Sequence, residues 1–165
     1  MNLQEFKTCI NGFSGEEQTT LKSIIDSHHN IIILGNGGSN AVASHIAEDY
    51  TKMMGKRAIT FSDPPMLTCY ANDYGWDNTY KMFLEHFLLP DSLVITISSS
   101  GRSKNILNAT EYALTKANVI TLSGFEPDNP LRTIYGQKSL MHFYVPSKDY
   151  GIVEIIHSLI LHSVI

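Results

Sequence analysis

Apolar residues in this chain switch again and again between short continuous runs and a spacing near 3.6, and that alternation leaves few folds open. The runs are Ile31–Leu34, Ala58–Phe61, Leu93–Ile97, Val119–Leu122 and Met141–Val145. Continuous β-branched runs of this kind suit parallel strands covered on both faces. Between them, residues 39–54, 76–88 and 102–117 read as helices, with shorter helices after Asp63-Pro-Pro through about Ala71 and near 130–135. A last helix starts at about 150. Residues 2–27 read as helical with a break near Gly12–Gly15, where Ser14 and Glu17 have the spacing of a capping box. Strand–helix alternation predicts an α/β fold: a three-layer α/β/α sandwich around a five-stranded parallel sheet with right-handed crossovers. No repeat, linker or low-complexity tract interrupts it, so residues 1–165 form one domain with a helical segment over about 1–27.

Composition removes several functional classes. Charged residues make up 17% and apolar residues 43% of 165, which suits a packed core rather than a solvated chain. A net charge of -4 and a pI near 5.9 argue against a general nucleic-acid binder. Two cysteines, Cys9 and Cys69, make no disulfide framework and fit a reducing compartment or two buried small hydrophobes. No apolar stretch is long enough to span a membrane, and the first ten residues lack a signal-peptide core. The expectation is a soluble, cytoplasmic protein. The terminal helix, Gly151 to Ile165, is apolar almost all round and has no lysine or arginine, which predicts burial against another subunit in a homo-oligomer.

Two strand–helix junctions carry most of the chemistry. The first is Gly35-Asn36-Gly37-Gly38-Ser39. Its glycines permit positive φ and close ligand approach, and the helix start behind them suits an anion. It is neither a dinucleotide fingerprint, since Asn40 stands where the third glycine belongs, nor a P-loop, since no GK[ST] follows. A plain turn with Ser39 as cap is the other reading. The second junction is Ser98-Ser99-Ser100-Gly101-Arg102-Ser103. Four hydroxyls beside helix N–H groups make a dense donor set, more than turn-and-cap chemistry uses. Arg102 either adds charge or points to solvent. Ligands of open parallel sheets sit beyond the carboxyl ends of strands, so the two junctions suggest one site for a small phosphorylated molecule.

Taken in order, Gly35–Ser39, Asn72-Asp-Tyr-Gly75, Ile97–Ser103, Ile120–Gly124 and Tyr150…His162 resemble the sugar isomerase (SIS) domain family, and most of all its phosphoheptose isomerase branch. The resemblance covers roughly residues 28–165. It implies a flavodoxin-like or Rossmann-like fold, a homotetramer, and interconversion of sedoheptulose 7-phosphate and D-glycero-D-manno-heptose 7-phosphate, a bacterial precursor of lipopolysaccharide or capsule. It also implies that Asn36, Gly37, Ser39, Ser98, Ser99, Ser100, Ser103 and Glu154 bind substrate, with Asn72 and Asp73 on sugar hydroxyls. Without the resemblance, Asn72–Gly75 reads equally as a helix-breaking turn and cap.

An aldose–ketose isomerase needs a base for a carbon-bound proton and an acid/base between two oxygens; a Lewis acid can polarise the carbonyl instead. His45 and Asp49 share a helix face, with Glu48 within a turn of His45. Glu154, His157 and His162 sit on the apolar terminal helix, where they are costly unless partnered. The resemblance makes Asp49 the base at carbon and His162 the acid/base at oxygen. It makes His45, Asp49, Glu154 and His162 a set that can hold zinc, with no nucleotide or organic cofactor. Two departures stand out: the branch has glutamate where this chain has Asp49, and glutamine where it has Glu154. An arginine of the branch is unmatched, with Met53 in its place beside Lys52. Glu154 and His162 lie about 12 Å apart along a helix, too far to share an ion without a partner subunit. Blander readings remain for each: a satisfied helix histidine at His45, a surface carboxylate at Asp49, a dipole partner at Glu154, a core or interface histidine at His162. His157 reads as structural, His28-His29 as a surface pair, and Met53, Met54, Phe83 and Phe87 as core. A phosphosugar sensor or assembly protein with the same cradle and no chemistry is the rival to the enzyme, and another sugar phosphate is the rival to the heptose.

Overall fold

Ile31 and Ile33 of the first strand face one layer of helices while Ile32 and Leu34 face the other, which is why the run is apolar without a break. The computed structural model describes all 165 residues. Five strands, β1 (Asn30–Leu34), β2 (Arg57–Thr60), β3 (Leu93–Ser98), β4 (Asn118–Gly124) and β5 (Met141–Val145), form one parallel sheet in the order β2-β1-β3-β4-β5. Seven α-helices complete it: α1 (Leu3–Ile10), α2 (Gly15–Ser27), α3 (Gly38–Met54), α4 (Pro64–Tyr74), α5 (Thr79–Phe87), α6 (Lys104–Ala113) and α7 (Tyr150–His162). The expected three-layer α/β sandwich is what forms.

Two cores flank the sheet. One packs α1, α2, α3 and α7 through Cys9, Leu21, Ile25, Ile46, Tyr50, Ile156 and Ile160 onto Ile31, Ile95 and Ile120. The other packs α5 and α6 through Tyr80, Phe83, Leu84, Ile106 and Ala109 onto Ile32, Val94 and Val119. Truncating a fully buried isoleucine of β1 or β3 to alanine would cost about 2–5 kcal/mol.

Local signals set the ends of elements. Ser14 and Glu17 close the capping box of α2. Asp63 accepts from the Met66 amide and starts α4 with Pro64 and Pro65 in its first turn. Three expectations need correction. Asn72-Asp73-Tyr74 does not break a helix: α4 runs through it and stops at Gly75, whose φ of 76° ends the helix as the cap. Met53 is 62% exposed rather than core, because it lies on the outer side of the last turn of α3. His28 is buried, not a surface residue, because its ring bridges the Ile24 carbonyl and the Asn118 amide group.

Two histidines lie inside the fold. His157 of α7 is fully buried and its Nε2–H donates to the Ser123 carbonyl, while Nδ1 has no partner. His142 of β5 meets Thr121 and Ser123 of β4. Burial, reinforced for His142 by Arg132, lowers both pKa values to about 4. Both rings are therefore neutral in the folded protein, whereas the unfolded chain takes up their protons near pH ~6.5. The stability this supports is complete above that pH and declines as the pH falls toward the folded values. Urea unfolding should show His157 alone removing about 2 kcal/mol by roughly pH 5, and His157→Gln should flatten that slope.

Candidate active site

β1 and β3 are neighbours, yet the chain leaves them toward opposite faces, into α3 and α6. This is the switch point where open parallel sheets hold ligands. A pocket of about 130 Å³ opens there, lined by Asn36, Ser39, Ile97, Ser98, Ser99, Ser100, Ser103, Tyr150 and Glu154. It can take a phosphoryl group and little more, since pockets for drug-sized ligands run to about 300 Å³ and above. The two junctions thus meet in one cavity.

The first junction is shaped by Gly37, whose φ of 53° turns the chain into α3 without a capping side chain. The amides at the start of α3 are left for a ligand. Asn36 and Asn105 exchange two amide hydrogen bonds of 2.9 Å each, tying this loop to α6. Tyr80 donates to the Gly35 carbonyl from below. In the second junction Ser98 and Ser103 approach to 3.3 Å, and the buried Ser99 hydroxyl has no partner at all. An unpaired buried hydroxyl is costly. A phosphate oxygen reaching the cradle would give it an acceptor. Arg102 is not part of the pocket; it points to solvent and pairs with Asp128 at 2.8 Å.

Glu154 sits on the cradle wall. A Cβ added at Gly38 would meet its carboxylate, so a larger residue there would push the Glu154 side chain aside. Partial burial raises its pKa. Tyr150, one turn earlier on α7 and the first residue of the Tyr150…His162 stretch, also lines the pocket.

A second cluster lies further along the same two helices. Asp49 Oδ2 stands 3.5 Å from His45 Nε2 and 3.1 Å from His162 Nε2. The two rings are 5.0 Å apart. His162 Nδ1–H donates to the Ser158 carbonyl at 2.8 Å. In the neutral ring that tautomer leaves Nε2 as an acceptor facing an acceptor carboxylate. A metal ion between Nε2 and Asp49 would satisfy that contact; in the other tautomer Nδ1 accepts from the Ser158 hydroxyl at 3.2 Å and Nε2–H donates to Asp49. His45, Asp49 and His162 offer ligand atoms all within 4.8 Å of one another, and two imidazoles with one carboxylate suit zinc. Glu154 is not in this group. Within one chain its separation from His162 along α7 puts it at the cradle, so it would complete the four-residue set only across a subunit interface. Glu48 approaches only His45, at 3.9 Å. Asn72 and Asp73 are exposed at the end of α4, bonded to each other, and line neither site.

The fold and these two clusters define an α/β domain that can grip a phosphorylated small molecule beside an acid/base pair. Comparison with known proteins makes this specific. No protein-family model matches the chain. The phosphoheptose isomerase of Fusobacterium nucleatum is 34% identical over 152 residues, covering 88% of this chain and 75% of that protein. The phosphoheptose isomerase of Histophilus somni is 30% identical over 175 residues, covering 96% and 90%. The solved phosphoheptose isomerase from Neisseria gonorrhoeae superposes with a TM-score of 0.87 at 24% identity, over 96% of this chain and 88% of that one. The chain belongs to the phosphoheptose isomerase family, and it is an isomerase.

One buried hydrogen bond ties α3 to α7 beside Asp49 and His162. Tyr50, next to Asp49, donates to the carbonyl of Leu161, next to His162, at 2.9 Å. That carbonyl lies in the last turn of α7, where helix geometry supplies no donor. Tyr50→Phe should cost about 1–2 kcal/mol in chemical denaturation while leaving the fold intact by circular dichroism.

Proposed function

We propose that this protein interconverts sedoheptulose 7-phosphate and D-glycero-D-manno-heptose 7-phosphate. The observation that carries the reading is the pairing of a hydroxyl-lined anion pocket with the Asp49–His162 contact on the same two helices, α3 and α7. Ser39, Ser98, Ser99, Ser100 and Ser103, with the free amides at the helix starts, grip the phosphate. The reacting carbons are at the opposite end of the sugar from that phosphate. A pair set apart from the cradle fits such a substrate.

Asp49 removes a proton from C1 of the ketose. His162 protonates the oxygen on C2 as the enediol forms. The proton on the C1 oxygen then leaves through His162, and Asp49 returns a proton to C2, giving the aldose. No atoms are gained or lost. Zinc on His45, Asp49 and His162 would supply a Lewis acid for the carbonyl as the alternative to this route, since Nε2 of His162 cannot hold the ion and shuttle a proton at once. Glu154 meets the phosphorylated end of the substrate.

The outward side of α7 supports a homotetramer: Ile155 is 44% exposed and, with Leu159, borders His162 in a shallow apolar hollow. A second copy seated there would shield the acid/base pair from water. Two free thiols suit the cytoplasm, and no helix is long and apolar enough to cross a membrane.

Incubation with sedoheptulose 7-phosphate should yield the aldose phosphate. Asp49→Asn and His162→Ala should each lower kcat by roughly 10²–10⁴-fold with substrate still bound. Binding without turnover in the wild type would instead mark a phosphosugar sensor, and turnover only of other ketose phosphates would reassign the substrate.

A further inference from the structure

The Ser98–Ser103 loop turns through Gly101 at a φ of 62° and is closed by the Gly101 amide donating to the Ser98 carbonyl at 2.9 Å. Two backbone hydrogen bonds fix it to the next strand–helix connection. The Gly124 amide donates to the Ser99 carbonyl at 2.9 Å, and the Leu131 amide donates to the Gly101 carbonyl at 3.1 Å. Gly124 ends β4, and Leu131 follows an irregular stretch, residues 125–129, that has no helix or strand of its own.

One side chain organises it. Asn129 is completely buried. Its Nδ2 donates to the carbonyls of Gly124 at 3.1 Å and Glu126 at 2.7 Å, with the Ser123 hydroxyl at 3.2 Å. Its Oδ1 accepts from the Arg132 amide at 3.0 Å. The same amide group packs flat against Gly101, where a Cβ would collide with it. An asparagine that merely closed a surface turn would face water. This one fills the space between the connection and the cradle and touches both.

We propose that Asn129 is a positioning residue for phosphate recognition. It meets no substrate atom. It holds the 124–131 segment so that Gly124 and Leu131 keep Ser99 and Gly101 where a phosphate needs them. The inference rests on the cradle being the phosphate site.

Steady-state kinetics with the phosphosugar, and inhibition by inorganic phosphate, test it on Asn129→Ala and Asn129→Asp. The aspartate keeps the size and the acceptor for Arg132 but loses the donors to Gly124 and Glu126. KM and the phosphate inhibition constant should rise together by roughly tenfold or more, with kcat within about threefold of wild type. A lower melting temperature with both constants unchanged would overturn the proposal, because it would make Asn129 structural only. Should neither variant fold, hydrogen exchange on the wild type decides. Inorganic phosphate should slow exchange at 98–103 and at Gly124 and Leu131 together; slowing confined to 98–103 would overturn it. A wild type indifferent to inorganic phosphate in both experiments would remove the cradle reading, and this inference with it.

Discussion

The site depends on β1 and β3 lying side by side in parallel while their following helices go to opposite faces of the sheet. That arrangement brings two helix starts and two loops to one spot without any long-range ordering cost beyond folding itself. A phosphate ester has three terminal oxygens and needs several donors, which one turn rarely supplies. Here hydroxyls come from the second loop and free amides from the first. The reciprocal Asn36–Asn105 amide pair then fixes one loop against the other. Break the β1–β3 register and the cradle divides into two ordinary turns.

The same two helices carry the other half of the chemistry. α3 begins at the cradle with Gly38 and Ser39 and reaches Asp49 in its fourth turn. α7 has Glu154 at the cradle and His162 at its far end. Each helix is a rigid spacer, so in the proposed reaction grip and proton transfer occupy different places. Within one chain Glu154 lies at the cradle wall and outside the His45–Asp49–His162 cluster.

Much of the fold was legible because its signals are local and periodic. Ile31–Leu34 and Leu93–Ile97 read as buried strands from the residues alone, and Ser14 with Glu17 reads as a helix start. The cradle was legible for the same reason: its serines are contiguous in the chain. What the sequence hid depends on packing. Nothing near Met53 tells that its face of α3 turns outward, and His28 looks exposed until Asn118 arrives from a distant strand. Asn72 and Asp73 look like a turn because polar residues beside glycine usually are one, yet the helix runs through them. Asn129 carried no signal, since its four contacts exist only once the 124–131 segment has closed on itself. The separation of Glu154 from His162 was legible from helix rise alone; what a neighbouring subunit brings to either is not written in the local pattern.

Tyr50 and Leu161 are the immediate neighbours of Asp49 and His162, and their hydrogen bond is buried. The backbones that carry the carboxylate and the imidazole therefore cannot separate without breaking an interior contact. In the proposed reaction they need not find one another on each cycle, so little reorganisation accompanies each proton hop. The moving part in a turnover is then the sugar, swinging its carbonyl end past a fixed pair while its phosphate stays moored.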